Sequence, residues 1–307
     1  MADLILFVGS NFPFGQFVFN KEAAFIQVDT DLTKFGRRHH VDLAILGDGI
    51  DVLKRLVDKT APRTADKWLL ANKENIKNWH SWRQSFYEDQ SLPLREEPVF
   101  KEINRIATED AIFVTDVGNV TIHSVRHLEM TGKQAFTTSG WFATMGYGLP
   151  GSLGAALSFP HRQVFSLSGD GGFAMVMQDL ITQVKYQLPV INVVFSNQSL
   201  GFIQAEQEDT NKENFGVDLL DIDFAKVAEA MGAKGFSIRS YEELAPAFEA
   251  AKNANLPVLI DVKTHSSRPL PVEDLQLDED LFSSDTINNF KERYQVFTMP
   301  ILKDLLK

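Results

Sequence analysis

The sequence predicts an α/β fold in which a parallel sheet is covered by helices on both faces, and a shorter α/β segment precedes it. The first observation is that apolar runs alternate with helical stretches between residues 99 and 265, among them AIFVTDVG, QVFSLSGDGG, VINVVFSN and PVLIDVK. Such alternation is typical of parallel strands joined by crossover helices. The second is that three apolar runs, LILFVG, AFIQVD and VDLAIL, fall within the first 60 residues. A unit of this size buries too little surface to be stable by itself. We therefore interpret it as half of a larger sheet.

The elements follow in chain order. Helical stretches lie between and after the first three strands, and residues 61–98 form a polar linker whose Trp68, Trp79 and Trp82 are spaced as on a helix. Pro93 and Pro98 close this linker. We expect the tryptophans to pack between domains. The predicted division is residues 1–60, a linker over 61–98, a main domain over 99–265 and a tail over 266–307.

Within the main domain, a helix at VFKEINRIA precedes the strand AIFVTDVG, and the glycine-rich SGWFATMGYGLPGSLGAAL precedes QVFSLSGDGG. The pattern predicts one helix over FAMVMQDLITQVKYQ, then the strand VINVVFSN, and later a helix near DFAKVAEAMG, the strand GFSIR, the helix YEELAPAFEAAKN and the strand PVLIDVK. The tail is expected to form a loop and one or two short terminal helices.

Composition excludes several classes of function. Hydrophobic residues make up 44% of the 307, which is typical of a soluble globular protein. A net charge of -11 argues against a nucleic-acid partner, which requires a basic surface. The absence of cysteine excludes disulfides and indicates a reducing, cytoplasmic compartment. The N-terminus does not read as a signal peptide, and no apolar run is long enough for an integral membrane segment.

The stretch GDGGFAMVMQDLITQVKYQLPVINVVFSNQ carries the most chemical information. Asp170 follows one strand and Asn197 the next, with 25 residues between Gly171 and Asn197, so both are expected at one carboxyl edge of the sheet. With the carbonyl of Ser199 and phosphate oxygens, their side chains would complete an octahedral magnesium site. A GDG sequence by itself is more often a turn, and an Asn at a strand end usually caps a neighbouring element. Together, at this spacing, they indicate a metal and phosphate site. Backbone approach to a phosphate is provided by Gly169, Gly171 and Gly172.

GDG followed, after a helix and a strand, by an Asn resembles the signature of thiamine-diphosphate-dependent enzymes. The resemblance implies the thiamine-diphosphate-binding fold, with thiamine diphosphate and Mg²⁺ as cofactors. SGWFATMGYGLPGSLGAAL is similar to the segment that cradles the aminopyrimidine ring, with Met145 wedged between the two cofactor rings and the Ala143 carbonyl accepting from the 4′-amino group. Read alone, Met145 is a core methionine. A loop near the diphosphate is matched by Asp116, Val117, Gly118 and Asn119.

Within that family, LPVINVVFSNQSLGFIQAEQEDTN resembles the pyruvate oxidases, above all in the run EQEDTN. Phe202 and Glu206 fall where those enzymes place side chains over the reacting carbon, although Glu206 read alone is a solvated helix residue. The stretch SSRPLP at 266–271 also matches. The residue after Asn197 is Gln198, which the wider signature tolerates. The ligand that the resemblance implies after it is the backbone carbonyl of Ser199, so the Ser199 side chain plays no part.

The first 60 residues resemble the Rossmann-like flavin-binding middle domain of the same enzymes. FVGSNFPFG, with Gly9 and Asn11, would lie along FAD, and Asp29 and Asp31 would meet a ribose. The chain lacks GxGxxG, so no NAD site is claimed. Its VDTDL departs from the frequent IDP, which weakens the nucleotide assignment.

The resemblance implies oxidative decarboxylation of pyruvate with phosphate and O₂, giving acetyl phosphate, CO₂ and H₂O₂. The family's activating glutamate belongs to an N-terminal domain that this chain lacks, and its active sites lie between subunits of a homo-oligomer. We therefore expect a C-terminal fragment that is inactive without a second subunit or the missing half. The alternatives are an acetolactate synthase, a quinone-linked pyruvate dehydrogenase, or a non-catalytic remnant that only binds cofactor.

Overall fold

The computed structural model describes residues 2–12, 19–20, 22–62, 64–210 and 212–266. The chain divides into two compact units, Met1–Glu74 and Asn75–Lys307. The predicted tail, apart from Ser266, and residues 13–15 of FVGSNFPFG lie outside the described residues.

The first unit contains the three predicted strands in a parallel sheet: β1 (Leu4–Val8), β2 (Ala24–Asp29) and β3 (Leu43–Leu46), with β2 in the middle. Helix α1 (Gly49–Lys59) follows β3. It starts there because the Asp48 carboxylate accepts hydrogen bonds from the backbone N–H groups of Ile50 and Asp51, at 2.9 and 3.2 Å.

Helix α2 (Lys67–Gln84) occupies the predicted linker. Trp79 and Trp82 lie three residues apart on one side of it, and their ring centroids are 5.0 Å apart. Packing of the tryptophans between domains stays a prediction.

The second unit is built on a six-stranded, wholly parallel sheet. Its strands are β4 (Ile112–Thr115), β5 (Ala135–Thr137), β6 (Val164–Gly169), β7 (Ile191–Ser196), β8 (Lys234–Ile238) and β9 (Val258–Lys263), in the order β5-β4-β6-β7-β9-β8. Its helices are α3 (Glu96–Ile106), α4 (Asn119–His127), α5 (Gly148–Ser158), α6 (Asp170–Val176), α7 (Leu180–Lys185), α8 (Gly201–Asp209), α9 (Phe224–Met231) and α10 (Tyr241–Lys252).

Both faces of this sheet are covered, as predicted, because successive strand residues point to opposite sides. On one face α3 and α10 bury Phe100 and Phe248 against β4, β6, β7 and β9, and Phe100 stacks on Phe195 with ring centroids 5.2 Å apart. On the other face α5, α6, α7 and α9 cover the alternate strand residues, such as Val194 and Leu259. The central strands β4, β6, β7 and β9 read as largely apolar runs because they are buried on both sides.

One helix differs from the prediction. FAMVMQDLITQVKYQ is not one helix: α6 ends at Val176, a 3-10 turn spans Met177–Asp179, and α7 begins at Leu180. The break lets α7 turn toward the sheet, where the Gln183 amide exchanges hydrogen bonds of 2.8 and 3.2 Å with Asn192 on β7. The segment therefore combines a helix break with a buried amide pair that holds α7 to β7.

Three elements were not predicted: β5, α4, and α5, which lies in the second half of the glycine-rich SGWFATMGYGLPGSLGAAL. Strand β5 has three half-buried residues, too few for an apolar pattern to be visible. Helix α4 begins inside the segment interpreted as a diphosphate loop. No helix in the described part of the chain combines the length and apolar character that crossing a membrane requires.

Candidate cofactor-binding site

Three neighbouring strands of the second unit end in polar residues. Asp116 follows β4, Asp170 follows β6 and Asn197 follows β7, and these strands lie side by side in the sheet. Gly169 pairs in register with Phe195, so the strands carrying Asp170 and Asn197 end at nearly the same level. The carboxyl edge of the sheet therefore gathers the residues that the sequence places at strand ends.

Asp170 is the buried carboxylate of the GDGG segment, 5% exposed. Its Oδ1 accepts from the Gly171 N–H at 2.8 Å, and its Oδ2 accepts from the Gln198 N–H at 2.6 Å. Burial raises the pKa of Asp170, and these two N–H donors oppose that rise. The second hydrogen bond joins the end of β6 to the residue that follows Asn197, so the two predicted metal ligands lie on directly linked segments.

The backbone turns sharply after Asn197. The Asn197 Oδ1 accepts from the Ser199 N–H at 3.0 Å, and Gln198 has a φ of 58°, in the left-handed region. The Gln198 carbonyl in turn accepts from the Leu219 N–H at 2.9 Å, which anchors the turn to a neighbouring loop. The Ser199 hydroxyl donates to Gln204 Oε1 at 2.8 Å, so that side chain is engaged within the α8 region.

The glycines of GDGG differ in their surroundings. An added Cβ at Gly171 would lie 2.8 Å from Leu200 Cδ2 and 3.4 Å from Met145 Cε, and one at Gly172 would lie 2.7 Å from Asp116 Oδ2. At Gly169 a Cβ would meet nothing within 4 Å. The GDGG segment is thus closely packed at Gly171 and Gly172 and open at Gly169. This is the arrangement expected of a backbone that a ligand can approach from one side.

Residues 139–147, here called the Met145 loop, precede α5. Ala143 has a φ of 49° and Gly146 a φ of 82°, both in the left-handed region. Met145 is half-buried, with its Cε toward Gly171, whereas Trp141 and Phe142 are each 89% exposed. The structure thus places Met145 beside the GDGG segment, and Ala143 lies in the exposed part of the loop.

The segment after β4 carries Val117, Gly118 and Asn119. Gly118 has a φ of 135° and open space where a Cβ would be, and Asn119 is the first residue of α4. The Asn119 side chain lies against the backbone at the start of α8, since a Cβ at Gly201 would come within 2.5 Å of its Nδ2. These residues therefore lie at the same edge as Asp170.

Phe202 and Glu206 lie four residues apart on α8, on one side of the helix. Phe202 is half-buried and the Glu206 side chain is exposed. Their assignment to the reacting carbon stays a prediction.

The first unit places its predicted nucleotide-binding residues at one edge of its own sheet. Gly9 and Asn11 follow β1, Asp29 ends β2, and Asp31 caps a short 3-10 helix. The Asp29 Oδ1 accepts from the Asp31 N–H at 3.0 Å, and Thr33 donates to Asp31 from its backbone and hydroxyl, which lowers the pKa of Asp31. The Asn11 Oδ1 accepts from Arg38 Nε at 3.2 Å.

The donor set at Asp170 suits a hard divalent cation that also binds a ligand. Among the described residues there is no group of three or more His, Cys, Asp or Glu side chains arranged to hold a metal. A cation beside Asp170 would thus depend on the Asn197 amide oxygen, a backbone carbonyl and oxygens of a ligand. Mg²⁺ with a bound diphosphate has these requirements, so the residues present fit it.

Sequence patterns did not reveal the roles of two buried networks. Asp116 hydrogen bonds to the Met145 loop, and Lys263 on β9 contacts two carboxylates, Asp221 at 2.6 Å and Asp261 at 2.9 Å. The sequence did hold one indication of the second network: Asp261 and Lys263 lie two residues apart in the otherwise apolar strand PVLIDVK.

Comparison with known proteins places this geometry in a family. Residues 116–262 match the C-terminal TPP binding domain of thiamine pyrophosphate enzymes, and residues 1–56 match the central domain of the same enzymes. The chain belongs to the thiamine pyrophosphate enzyme family. This confirms the resemblance predicted from the GDG and Asn segments. It also confirms the thiamine-diphosphate-binding fold of the second unit.

Relatives within the family share different fractions of the sequence. The chain is 44% identical to the pyruvate oxidase of Lactiplantibacillus plantarum, over its whole length and 52% of that protein. It is 37% identical to the putative thiamine pyrophosphate-containing protein YdaP of Bacillus subtilis, again over its whole length and 53% of that protein. To the acetolactate synthase large subunit of Pyropia yezoensis it is 30% identical, over 85% of this chain and 45% of that protein. The chain thus spans about half the length of these relatives, and is more similar to the oxidase than to the synthase.

Proposed function

We propose that the chain forms the diphosphate- and metal-binding half of a pyruvate oxidase active site. The reaction is the oxidative decarboxylation of pyruvate with phosphate and O₂ to acetyl phosphate, CO₂ and H₂O₂. One observation carries the proposal: Asp170 is hydrogen-bonded to the turn that follows Asn197, in a chain 44% identical to a pyruvate oxidase.

The carboxyl edge of the second unit would hold the diphosphate end of the cofactor. Asp170, Asn197 and the Ser199 carbonyl would hold Mg²⁺ together with oxygens of the diphosphate. Residues 169–172 and 117–119 would offer their backbone to the diphosphate, since Gly118 and Gly169 leave open space where a side chain would be. When bound, thiamine diphosphate supplies an electron sink for the carbon that loses CO₂.

The Met145 loop would hold the ring end of the cofactor. Met145 would pack between the two rings, and the Ala143 carbonyl would accept a hydrogen bond from the aminopyrimidine. Phe202 and Glu206 on α8 would border the substrate. In the first unit, Gly9, Asn11, Asp29 and Asp31 would contact FAD, which would accept the electrons before O₂.

The remaining parts of the active site come from the region of the relatives that this chain does not match. That region supplies the glutamate that activates the aminopyrimidine, from the same or another subunit of a homo-oligomer. Combining this chain with the unmatched part of the L. plantarum enzyme is therefore expected to give pyruvate-dependent acetyl phosphate. Formation of acetolactate instead would favour the synthase.

Calorimetric titration with thiamine diphosphate tests the half-site itself. The chain is expected to bind thiamine diphosphate when Mg²⁺ is present and to lose that binding when Mg²⁺ is removed. Asp170→Ala should abolish the Mg²⁺-dependent binding, whereas Asp110→Ala, in an exposed residue before β4, should not. A chain shown to be folded by circular dichroism that binds no thiamine diphosphate would overturn the proposal.

A further inference from the structure

Asp116 is a fully buried carboxylate at the carboxyl end of β4, with no exposed surface. Its backbone is held on both sides: its N–H donates to the Leu167 carbonyl on β6 at 2.8 Å, and its carbonyl accepts from the Thr121 hydroxyl at 2.6 Å. The side chain thus projects from a fixed point of the sheet.

One carboxylate oxygen of Asp116 holds the base of the Met145 loop. Oδ1 accepts from the N–H groups of Gly146 at 2.8 Å, Tyr147 at 3.3 Å and Val117 at 2.7 Å. The loop needs such an anchor because Ala143, a non-glycine residue, has a positive φ, which is a costly backbone conformation. Its other hydrogen bonds include two from within the loop, where Ala143 and Thr144 N–H groups donate to Ser139.

The other carboxylate oxygen of Asp116 lies against the GDGG segment. A Cβ on Gly172 would come within 2.7 Å of Oδ2 and 3.0 Å of the carboxyl carbon. The absence of a side chain at Gly172 therefore lets Oδ2 lie close to this segment, although it accepts no hydrogen bond from the described residues. One side chain is thus hydrogen-bonded to the Met145 loop and packed against the segment that carries Asp170.

We propose that Asp116 is a positioning residue that sets the spacing between the ring-binding and diphosphate-binding ends of the cofactor site. This inference rests on the proposed function, which places the cofactor rings at Met145 and the diphosphate at residues 169–172. The two ends of thiamine diphosphate are covalently joined, so both can bind well only when the two protein segments lie a fixed distance apart. The Asp116 carboxylate is hydrogen-bonded to the first of these segments and packs against the second.

Two probes separate this role from a general loss of structure. Thiamine diphosphate with Mg²⁺ requires both ends of the site, whereas inorganic diphosphate with Mg²⁺ requires only one. Asp116→Ala is expected to weaken thiamine diphosphate binding by about ten-fold or more, since charge-assisted hydrogen bonds are lost. It should weaken inorganic diphosphate binding much less. Asp116→Asn keeps one acceptor oxygen and should lie between the wild type and Asp116→Ala, and Asp110→Ala should match the wild type.

Hydrogen exchange supplies a readout that needs no ligand. The amides of Gly146 and Tyr147 donate to Asp116, so their exchange should accelerate in the Asp116→Ala chain while that of β6 and β7 stays slow. If that chain does not fold, Asp116→Asn is used with the same comparison of the two probes.

Unchanged exchange at Gly146 and Tyr147, or an equal loss of affinity for both probes, would overturn the inference. A wild-type chain that binds neither probe would instead contradict the proposed function. In that case the exchange rates still decide whether Asp116 holds the Met145 loop.

Discussion

Replacing Lys263 with Met is expected to destabilise the second unit strongly. Lys263 ends β9, and its side chain is 8% exposed. Its Nζ lies 2.6 Å from Asp221 Oδ1 and 2.9 Å from Asp261 Oδ2, and it donates to the Ile222 carbonyl at 2.7 Å. The two carboxylates outweigh the effect of burial and raise the pKa of Lys263, so it is the charged ammonium that the fold contains.

The magnitude follows from what the substitution leaves behind. Asp261 has no exposed surface, and without Lys263 the described residues leave its carboxylate the Ser196 hydroxyl, at 2.5 Å, and the Phe224 N–H, at 3.1 Å. Removing one partner of a buried ion pair costs about 3–5 kcal/mol, because the other charge stays buried. For a domain of this size, 3 kcal/mol corresponds to a fall in Tm of roughly 6–12 °C.

Urea unfolding of the cofactor-free chain, followed by far-UV circular dichroism at pH 7, measures this loss. Lys226→Met is the matched control: Lys226 is paired with Asp223 at 3.0 Å, but its side chain is 80% exposed. That pair should contribute less than about 1 kcal/mol. The double variant Asp261→Asn/Lys263→Met, which removes both charges, should recover much of the stability. If Lys263→Met unfolds at the same urea concentration as Lys226→Met, the Lys263 ammonium does not stabilise the buried Asp261 carboxylate.

Three further predictions concern pH, packing and turnover. His123 and His127 are buried, which lowers their pKa values to about 4 and about 3 despite the nearby Glu97 carboxylate. These pKa values lie below the unfolded value of about 6.5, so the folded state favours the neutral rings. The resulting contribution to the free energy of unfolding is fully present above pH 6.5 and is lost as the pH falls toward 3, by on the order of 3 kcal/mol for His123. Urea midpoints between pH 7 and 4 should show this fall, and a His123→Gln/His127→Gln variant should show less of it. Gly151→Ala would put a Cβ 2.8 Å from a buried valine of β4 and should destabilise the chain by about 1–3 kcal/mol. Gly154→Ala, whose Cβ would meet nothing within 4 Å, should be neutral or stabilising. Thermal melts measure both variants, and equal changes in Tm would contradict the prediction. The chain alone, given thiamine diphosphate, Mg²⁺, FAD, phosphate and pyruvate, should consume no oxygen, and pyruvate-dependent uptake at an electrode would show that the half-site suffices.

Much of the fold could be predicted because the strands are short apolar runs at regular spacing. LILFV, INVVFS and VLIDVK are each bounded by turns and helices, so these strands could be placed in chain order. The break at Met177–Asp179 could not be predicted, because no proline or glycine marks it, and the buried Gln183 and Asn192 amides that hold the following helix to β7 meet only after folding. Hydrophobic periodicity predicts which residues are buried, but it does not predict which buried polar groups form hydrogen bonds with one another.

The candidate site shows the same division. Asp170 and Asn197 could be placed at one edge because the chain length between them suits one strand–helix–strand unit. The bridging position of Asp116 could not, because its partners Gly146 and Gly172 are distant in sequence and glycines carry no pattern of their own. Its contacts depend on the left-handed turn of the Met145 loop and on the missing Cβ at Gly172.

The most direct test of the cofactor site is a crystal structure of the chain with thiamine diphosphate and Mn²⁺ in place of Mg²⁺. Anomalous scattering would locate the metal independently of the protein coordinates. One Mn²⁺ peak is expected about 2.1 Å from an Asp170 carboxylate oxygen and the Asn197 Oδ1, beside the diphosphate. Bound thiamine diphosphate with the metal elsewhere, or with its diphosphate away from Gly169 and Gly118, would contradict it.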